Sequence, residues 1–322
     1  MPPWVQDLGD DIFAVDTAFH RKAFDAAYLL VQDGRAAYVD TGTNHAVPRL
    51  LALLSHLGLG RDAVDHVIPT HVHLDHAGGA GALMQALPAA TLWVHPRGLR
   101  HLLDPSRLYE GALAVYGQEE MDRSYGRLVP VKPQRAQPTH DGMALTLGSR
   151  TLRIAHTPGH ARHHHCVWDE RSRGWFTGDT FGLSYREFDT ARGAWITPTT
   201  PPAQFDPQAL RESVQGLLAV DPACLFLTHF GRVTDVPRLG RMFLDHLDGL
   251  LAIARRHQHA GPERHQRLKQ DLLALYTASL TDHGCSLSAD ARAAVLEMDT
   301  ELNAQGLAIW LDRPAPAAAT GC

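Results

Sequence analysis

Residues Thr70 to His76 read T-H-V-H-L-D-H, which places four potential metal ligands, His71, His73, Asp75 and His76, within six residues. The segment follows a short apolar run, His66–Pro69, that reads as a buried strand, and it precedes a helical pattern from about His76 to Leu87. In an extended chain alternate side chains share a face, so His71 and His73 point the same way, with Asp75 two positions further on. His76 then opens the helix. Histidine is the commonest metal ligand, and this chain carries 21 in 322 residues. The bland alternative is a polar loop with clustered surface histidines.

Further candidate ligands come in an orderly series, each just after an expected strand. His160 follows Thr151–His156 in the turn Thr157-Pro158-Gly159-His160. Asp179 follows Trp175–Thr177 in Thr177-Gly178-Asp179-Thr180, and His229 follows Cys224–Thr228 in Thr228-His229-Phe230-Gly231. Loops at one edge of a rigid sheet are where functional side chains gather, and the neighbouring glycines permit the turns that aim them inward.

The remaining pattern supplies the framework. Strands are expected at Ile12–Val15, Tyr28–Gln32, Ala36–Val39, Thr91–His95, Met143–Leu147 and His164–Trp168, with the turn Asp33-Gly34 joining the second and third. Helices are expected at Pro48–Leu57 and Pro207–Val220, and a helical tail from Val236 to about Leu307. Residues 97 to 140 read as an irregular, partly helical lid or insertion, residues 197 to 207 as a Pro-rich loop, and the final PAPAAATGC as frayed. Two strand-rich segments, each finishing in a helix, suggest a layered α/β sandwich with helices outside two sheets. The division expected is a catalytic domain over residues 1–235 and a C-terminal helical extension over 236–322.

The set THVHLDH, TPGH, TGDT and LTHFG, preceded by Val39-Asp40-Thr41-Gly42, resembles the metallo-β-lactamase-fold hydrolase superfamily over roughly Asp11 to Arg232. The resemblance implies a four-layer αββα sandwich with a dinuclear metal site at one edge. It implies that His71, His73 and His160 hold the first metal, that Asp75, His76 and His229 hold the second, and that Asp179 bridges both. The TPGH and GDT contexts are similar to those of glyoxalase II, related thioesterases and lactonases.

The donor chemistry agrees independently. Five imidazoles and two carboxylates without a thiolate suit zinc, with iron or manganese as options. Two such ions close together can share a hydroxide and bring its pKa towards neutrality. The expectation is therefore attack by a metal-bridging hydroxide on an ester, thioester or lactone, with Asp75 orienting it and passing a proton to the leaving group.

Around this set, three residues are candidates for support or substrate contact. Asp40, in the turn after a strand, reads as a buried carboxylate satisfied by backbone N–H groups and Thr70 rather than as a ligand. His164 lies in the run His163-His164-His165 and is a candidate support or substrate contact, against the plainer reading of a satisfied histidine. Tyr185 could offer a phenol to a developing oxyanion or be an ordinary loop tyrosine. In the loop Phe19–Phe24, Arg21 or Lys22 could meet a carboxylate or phosphate, or be merely solvated.

Composition narrows the function. With 44% apolar and 20% charged residues the chain can bury a core, and a net charge of −5 argues against a nucleic-acid binder with a broad basic surface. No basic stretch leads into an apolar run at the N-terminus, and no run is long enough to span a bilayer. The four cysteines, Cys166, Cys224, Cys285 and Cys322, lie far apart without CxxC spacing. A cytoplasmic enzyme acting on a small molecule is expected, with no nucleic-acid or membrane partner and a homodimer possible. The alternatives are a di-iron redox or oxygen-sensing protein on the same fold, and a phosphodiesterase or nuclease.

Overall fold

The computed structural model describes residues 1–313; PAPAAATGC lies outside the described residues. The first half of the chain supplies β1 (Val5–Asp7), β2 (Ile12–Asp16), β3 (Ala26–Gln32), β4 (Arg35–Val39), α1 (Val47–His56), β5 (Val64–Ile68), α2 (Leu74–Ala77), α3 (Ala80–Ala86), β6 (Thr91–Val94), α4 (Pro96–Leu103), α5 (Ser106–Glu120) and β7 (Ala136–Pro138). Then come β8 (Ala144–Leu147), β9 (Arg150–His156), β10 (His165–Asp169), β11 (Gly174–Gly178), α6 (Pro207–Leu218), β12 (Cys224–Leu227) and β13 (Gly231–Val233). Four helices close the described chain: α7 (Val236–Arg256), α8 (Arg264–Asp282), α9 (Ala289–Val295) and α10 (Glu297–Leu311).

The strands form a seven-stranded sheet, β1 to β7 in chain order, and a six-stranded sheet ordered β13-β12-β11-β10-β9-β8. Period-2 alternation explains how they stack. In β2, Ile12 and Ala14 join Tyr28, Leu30, Ile154, Phe176 and Phe226 between the sheets. The intervening Phe13 and Val15 face the other way, onto α1 and α3 through Leu50, Leu53 and Leu83. In β12, Cys224 and Phe226 point between the sheets, while Leu225 and Leu227 belong to the core cluster shared with α6, α7, α8 and α10. Each central strand is thus buried on both faces, which is why its sequence is almost continuously apolar. The result is the expected αββα sandwich with a C-terminal helical region.

Strand direction brings the ligand loops together. β4 and β5 are parallel, so Asp40 and Thr70 leave the first sheet at the same edge. β9 and β11 are both antiparallel to β10, and β11 is parallel to β12, so the turns after β9, β11 and β12 share one edge of the second sheet. The two edges are joined where Ala26 N–H donates to Thr228 O at 2.9 Å.

Two features differ from the sequence expectation. The helix expected over 76–87 is two helices, because Gly79 N–H donates to Gly42 O at 2.9 Å instead of continuing the ladder. A Cβ on Gly79 would stand 2.8 Å from Thr43 O, so only glycine lets the two backbones pass this closely. The strands β1, β7 and β13 have three residues each, too few for alternation to be read. The 97–140 region is partly helical, as expected: it holds most of α4, all of α5 and a π-turn at Met121–Tyr125, and α5 is interrupted at Gly117, whose φ is 78°.

Candidate metal centre

Asp40 organises the site. It follows β4 with φ of 58° and is almost fully buried. Its carboxylate accepts from Thr70 N–H at 2.7 Å, Thr70 Oγ1 at 2.9 Å, Thr228 Oγ1 at 2.7 Å and His76 Nδ1 at 2.8 Å. One anion therefore ties together the end of β5, the start of α2 and the turn after β12. Because His76 donates its Nδ1 proton to Asp40, its Nε2 is aimed inward, the nitrogen that offers a lone pair once His76 is neutral.

All seven expected ligands converge. The described residues form three overlapping donor groups: His71, His73 and His160; His71, His76 and Asp179; and Asp75, His76 and His229. His73 Nδ1 lies 2.7 Å from His71 Nε2 and 3.2 Å from His160 Nε2. Asp179 divides its carboxylate: Oδ2 is 3.4 Å from His160 Nε2, while Oδ1 is 3.2 Å from His76 Nε2 and 3.6 Å from His229 Nε2. Asp75 Oδ2 stands 3.5 Å from His229 Nε2. Two donors about 2.1 Å from one tetrahedral ion stand about 3.4 Å apart; the spacings of 3.2 to 3.6 Å suit donors around shared centres, and the His71–His73 pair at 2.7 Å stands closer. His76 Nε2 and Asp179 Oδ1 are buried without a hydrogen-bond partner, a costly state that a cation between them relieves. The donor set fits a metal.

The other ring nitrogens are anchored. His160 Nδ1 pairs with Thr199 Oγ1 at 2.8 Å, His229 Nδ1 with Phe24 O at 2.9 Å, and His71 Nδ1 with Thr70 Oγ1 at 3.3 Å. His164 is buried and stacks on His71 with ring centroids 4.8 Å apart. Its Nε2 accepts from Asp179 N–H at 3.2 Å, so the proton sits on Nδ1, which faces the hydroxyls of Thr157 at 2.9 Å and Thr180 at 3.0 Å. His164 thus supports the loop of Asp179. Gly178 is required beside it: φ is +47°, and a Cβ would lie 2.6 Å from His164 Nε2 and 2.5 Å from Thr70 Oγ1.

Charge follows position. Burial, reinforced by His76 and His73, holds His71 well below the usual imidazole range, and burial drives His160 to about 3 although Asp179 opposes this. Burial also disfavours charge on His76 and His229, yet the carboxylates win. Asp179, Asp40 and Asp75 hold His76 well above its ordinary value, and Asp179 and Asp75 raise His229 to about 10. Burial works against charge on Asp75 and Asp179 too, but His76 leads the neighbours that keep both below the carboxylate range.

Tyr185 is a correction to the oxyanion expectation. It is fully buried, and its hydroxyl donates to Asp299 Oδ1 of α10 at 3.1 Å, so the phenol is already engaged. Nor is Arg21 a freely solvated charge. It pairs with Glu187, and its guanidinium carbon lies 4.5 Å from the Tyr185 ring centroid and 5.0 Å from that of Phe24. Sequence reasoning missed Thr199, the Phe24 carbonyl and Asp299. Nothing in their residue types distinguishes them, and Thr199 lies in a loop read only as Pro-rich.

The sequence model of the Metallo-beta-lactamase superfamily matches residues 24–229, and the chain belongs to that superfamily. It is 26% identical over 216 residues to the metallo-beta-lactamase fold-containing protein ST1585 of Sulfurisphaera tokodaii, covering 64% of this chain and 73% of that one. It is 28% identical over 192 residues to the acyl-coenzyme A thioesterase MBLAC2 of Homo sapiens, covering 54% of this chain and 64% of that protein. Among solved structures, ST1585 from Sulfolobus tokodaii superposes with a TM-score of 0.64 at 22% identity, over 92% of this chain and 97% of that one. The chain is accordingly an enzyme of the metal-dependent hydrolase class. No helix among the described residues is long and apolar enough to cross a membrane.

Proposed function

We propose that this chain hydrolyses a thioester, or a closely related ester or lactone, of a small molecule, using two divalent metal ions, most suitably zinc. The observation that carries the reading is the division of Asp179, whose two oxygens face the His160 side and the His76–His229 side separately. His71, His73 and His160 would hold one ion, Asp75, His76 and His229 the other, with Asp179 shared. When bound, the ions supply a water activated near neutral pH and polarise the carbonyl under attack.

The chain's own residues set the approach. Of the seven donors, His73 and Asp75 are only half-buried while the rest are buried, so the substrate arrives on their side. Asp75, kept ionised at that opening by His76 and His229, can accept a hydrogen bond from the attacking water, orient it and relay its proton to the leaving group. Nearby, Arg21 pairs with Glu187 and Arg123 with Glu120, so these cations are neutralised locally. That balance suits a small substrate better than a polyanionic nucleic acid. The likeness to a protein named as an acyl-coenzyme A thioesterase favours the thioester among the candidate bonds.

The test combines metal content with a panel of acyl thioesters, lactones, aryl esters and phosphodiesters, assayed in the zinc, manganese and iron forms. Two ions per chain and thioester turnover are expected. Fewer than two ions per chain, or turnover confined to phosphodiesters, would overturn the proposal.

A further inference from the structure

The matched family region ends at His229, yet α10, far beyond it, reaches two of the metal-site histidines through one face. Asp299, Asn303 and Gly306 lie at i, i+4 and i+7, so they share a side of the helix. All three are buried, and each meets a different part of the loops around the ligands.

The first route runs to His229. Asp299 Oδ1 accepts the Tyr185 hydroxyl at 3.1 Å. The Tyr185 ring stacks on Phe24 with centroids 5.3 Å apart and planes inclined by 20°. Phe24 packs its ring edge-on against His229 at 5.4 Å, and its carbonyl receives His229 Nδ1 at 2.9 Å. Asp40 holds the adjacent Thr228, but the His229 ring itself is fixed at Nδ1 by the Phe24 carbonyl. The second route runs to His160. Asn303 Oδ1 accepts Thr200 N–H at 2.6 Å, and Thr200 Oγ1 donates to Asn303 O at 3.0 Å. The adjacent Thr199 supplies the 2.8 Å partner of His160 Nδ1. A Cβ on Gly306 would collide with the Thr200 carbonyl, so the helix backbone rests directly on this loop.

A packing role alone does not call for these groups. Placing a carboxylate and an amide against an apolar interior costs desolvation that a hydrocarbon face would avoid. Asp299 Oδ2 is indeed buried with no partner, and burial raises this carboxyl to about 6. What the polar groups add is direction: Asp299 fixes Tyr185 and Asn303 fixes Thr200, each separated from a candidate ligand by one intervening residue, Phe24 and Thr199 respectively.

We infer that Asp299 and Asn303 are positioning residues of the metal centre, Asp299 aiming His229 through Tyr185 and Phe24, and Asn303 aiming His160 through Thr200 and Thr199. The inference rests on the reading that these histidines hold metal. The two routes end in different donor groups, so their removal should affect different ions.

Zinc affinities of the metal-stripped full chain, measured by chelator competition, provide the test alongside thermal unfolding. For Asp299→Ala, one of two zinc affinities should fall about 10- to 100-fold, the usual effect of losing an outer partner of a ligand, while the other stays near the wild-type value. Asn303→Ala should weaken the other ion instead. Asp299→Asn, which keeps an acceptor for Tyr185, should restore affinity. Should Asp299→Ala not fold, Tyr185→Phe removes the hydroxyl while keeping the stacked ring, and should give the same one-ion loss. Equal losses for both ions, or unchanged affinities in folded Ala and Phe variants, would overturn the inference. A wild-type chain that takes up only one zinc would overturn the dinuclear reading and the inference with it.

Discussion

Asp40→Asn is the sharpest single perturbation of the metal centre, because it changes one buried atom and forces one histidine to choose. In the native arrangement, Oδ1 accepts from Thr70 N–H at 2.7 Å, and Oδ2 accepts from His76 Nδ1 at 2.8 Å and Thr228 Oγ1 at 2.7 Å. The backbone N–H of Thr70 cannot reverse, so the amide oxygen must take the Oδ1 place and the NH₂ group must face His76 and Thr228. The Thr228 hydroxyl can rotate to accept. His76 cannot both keep its Nδ1 proton and meet an N–H donor, so it must move its proton to Nε2. That nitrogen is the one facing Asp179 Oδ1 at 3.2 Å, and protonation removes the lone pair available to a metal. The loss is about one charge-assisted hydrogen bond, roughly 1.5–3 kcal/mol. At 1.4 kcal/mol per tenfold, affinity for the ion held by His76 should drop about 10- to 100-fold. Zinc competition titrations would measure the drop, and thermal unfolding of the metal-free protein should show a stability loss of similar size. An Asp40→Asn protein that binds both ions as tightly as the wild type would refute the tautomer reasoning.

Other expectations follow from the same geometry. Asp75→Asn, at a half-buried opening position, should lower turnover about 10²- to 10⁴-fold with circular dichroism unchanged; undiminished turnover would rule out its proton-transfer role. Metal uptake should release protons at pH 7. His76, held above its ordinary value, and His229, raised to about 10, are protonated below those values and must be neutral to ligate. Affinity should therefore rise with pH through neutrality, and zinc addition in weak buffer with a pH indicator should show acidification; its absence would contradict these assignments. Away from the site, Arg150→Met should destabilise the chain by about 3–5 kcal/mol. It strands the buried Asp169, which Arg150 contacts at 2.7 and 2.5 Å, and chemical denaturation is the check.

The candidate ligands were legible in the sequence because they are local. THVHLDH delivers four donors from one strand end, and strand alternation with the following helix start determines where those donors point. His160, Asp179 and His229 were legible for a related reason: each sits in a turn after an apolar strand, and turn chemistry is written in neighbouring residues. The layer order followed from the same periodicities, since strands buried on both faces read as apolar runs. Short strands and the break at Gly78-Gly79 were not legible, because three residues show no period and a close backbone approach leaves no mark other than glycine itself.

What only the tertiary structure decided is which ordinary residues stand behind the ligands. Thr199 meets His160 from 39 positions away, Phe24 meets His229 from 205, and Asp299 meets Tyr185 from 114. Threonine, phenylalanine and aspartate are commonplace, and their contacts depend on how two sheets and the C-terminal helices close on one another. Tyr185 illustrates the limit: its place after Asp179 was visible in the sequence, but the direction of its hydroxyl was settled by a helix more than a hundred residues later. By itself the sequence determined the donors, their order and their strand-end placement, because those are local properties of the chain. Their aim is a property of the closed fold, because a hydrogen bond needs a partner within about 3 Å, and only packing brings one there.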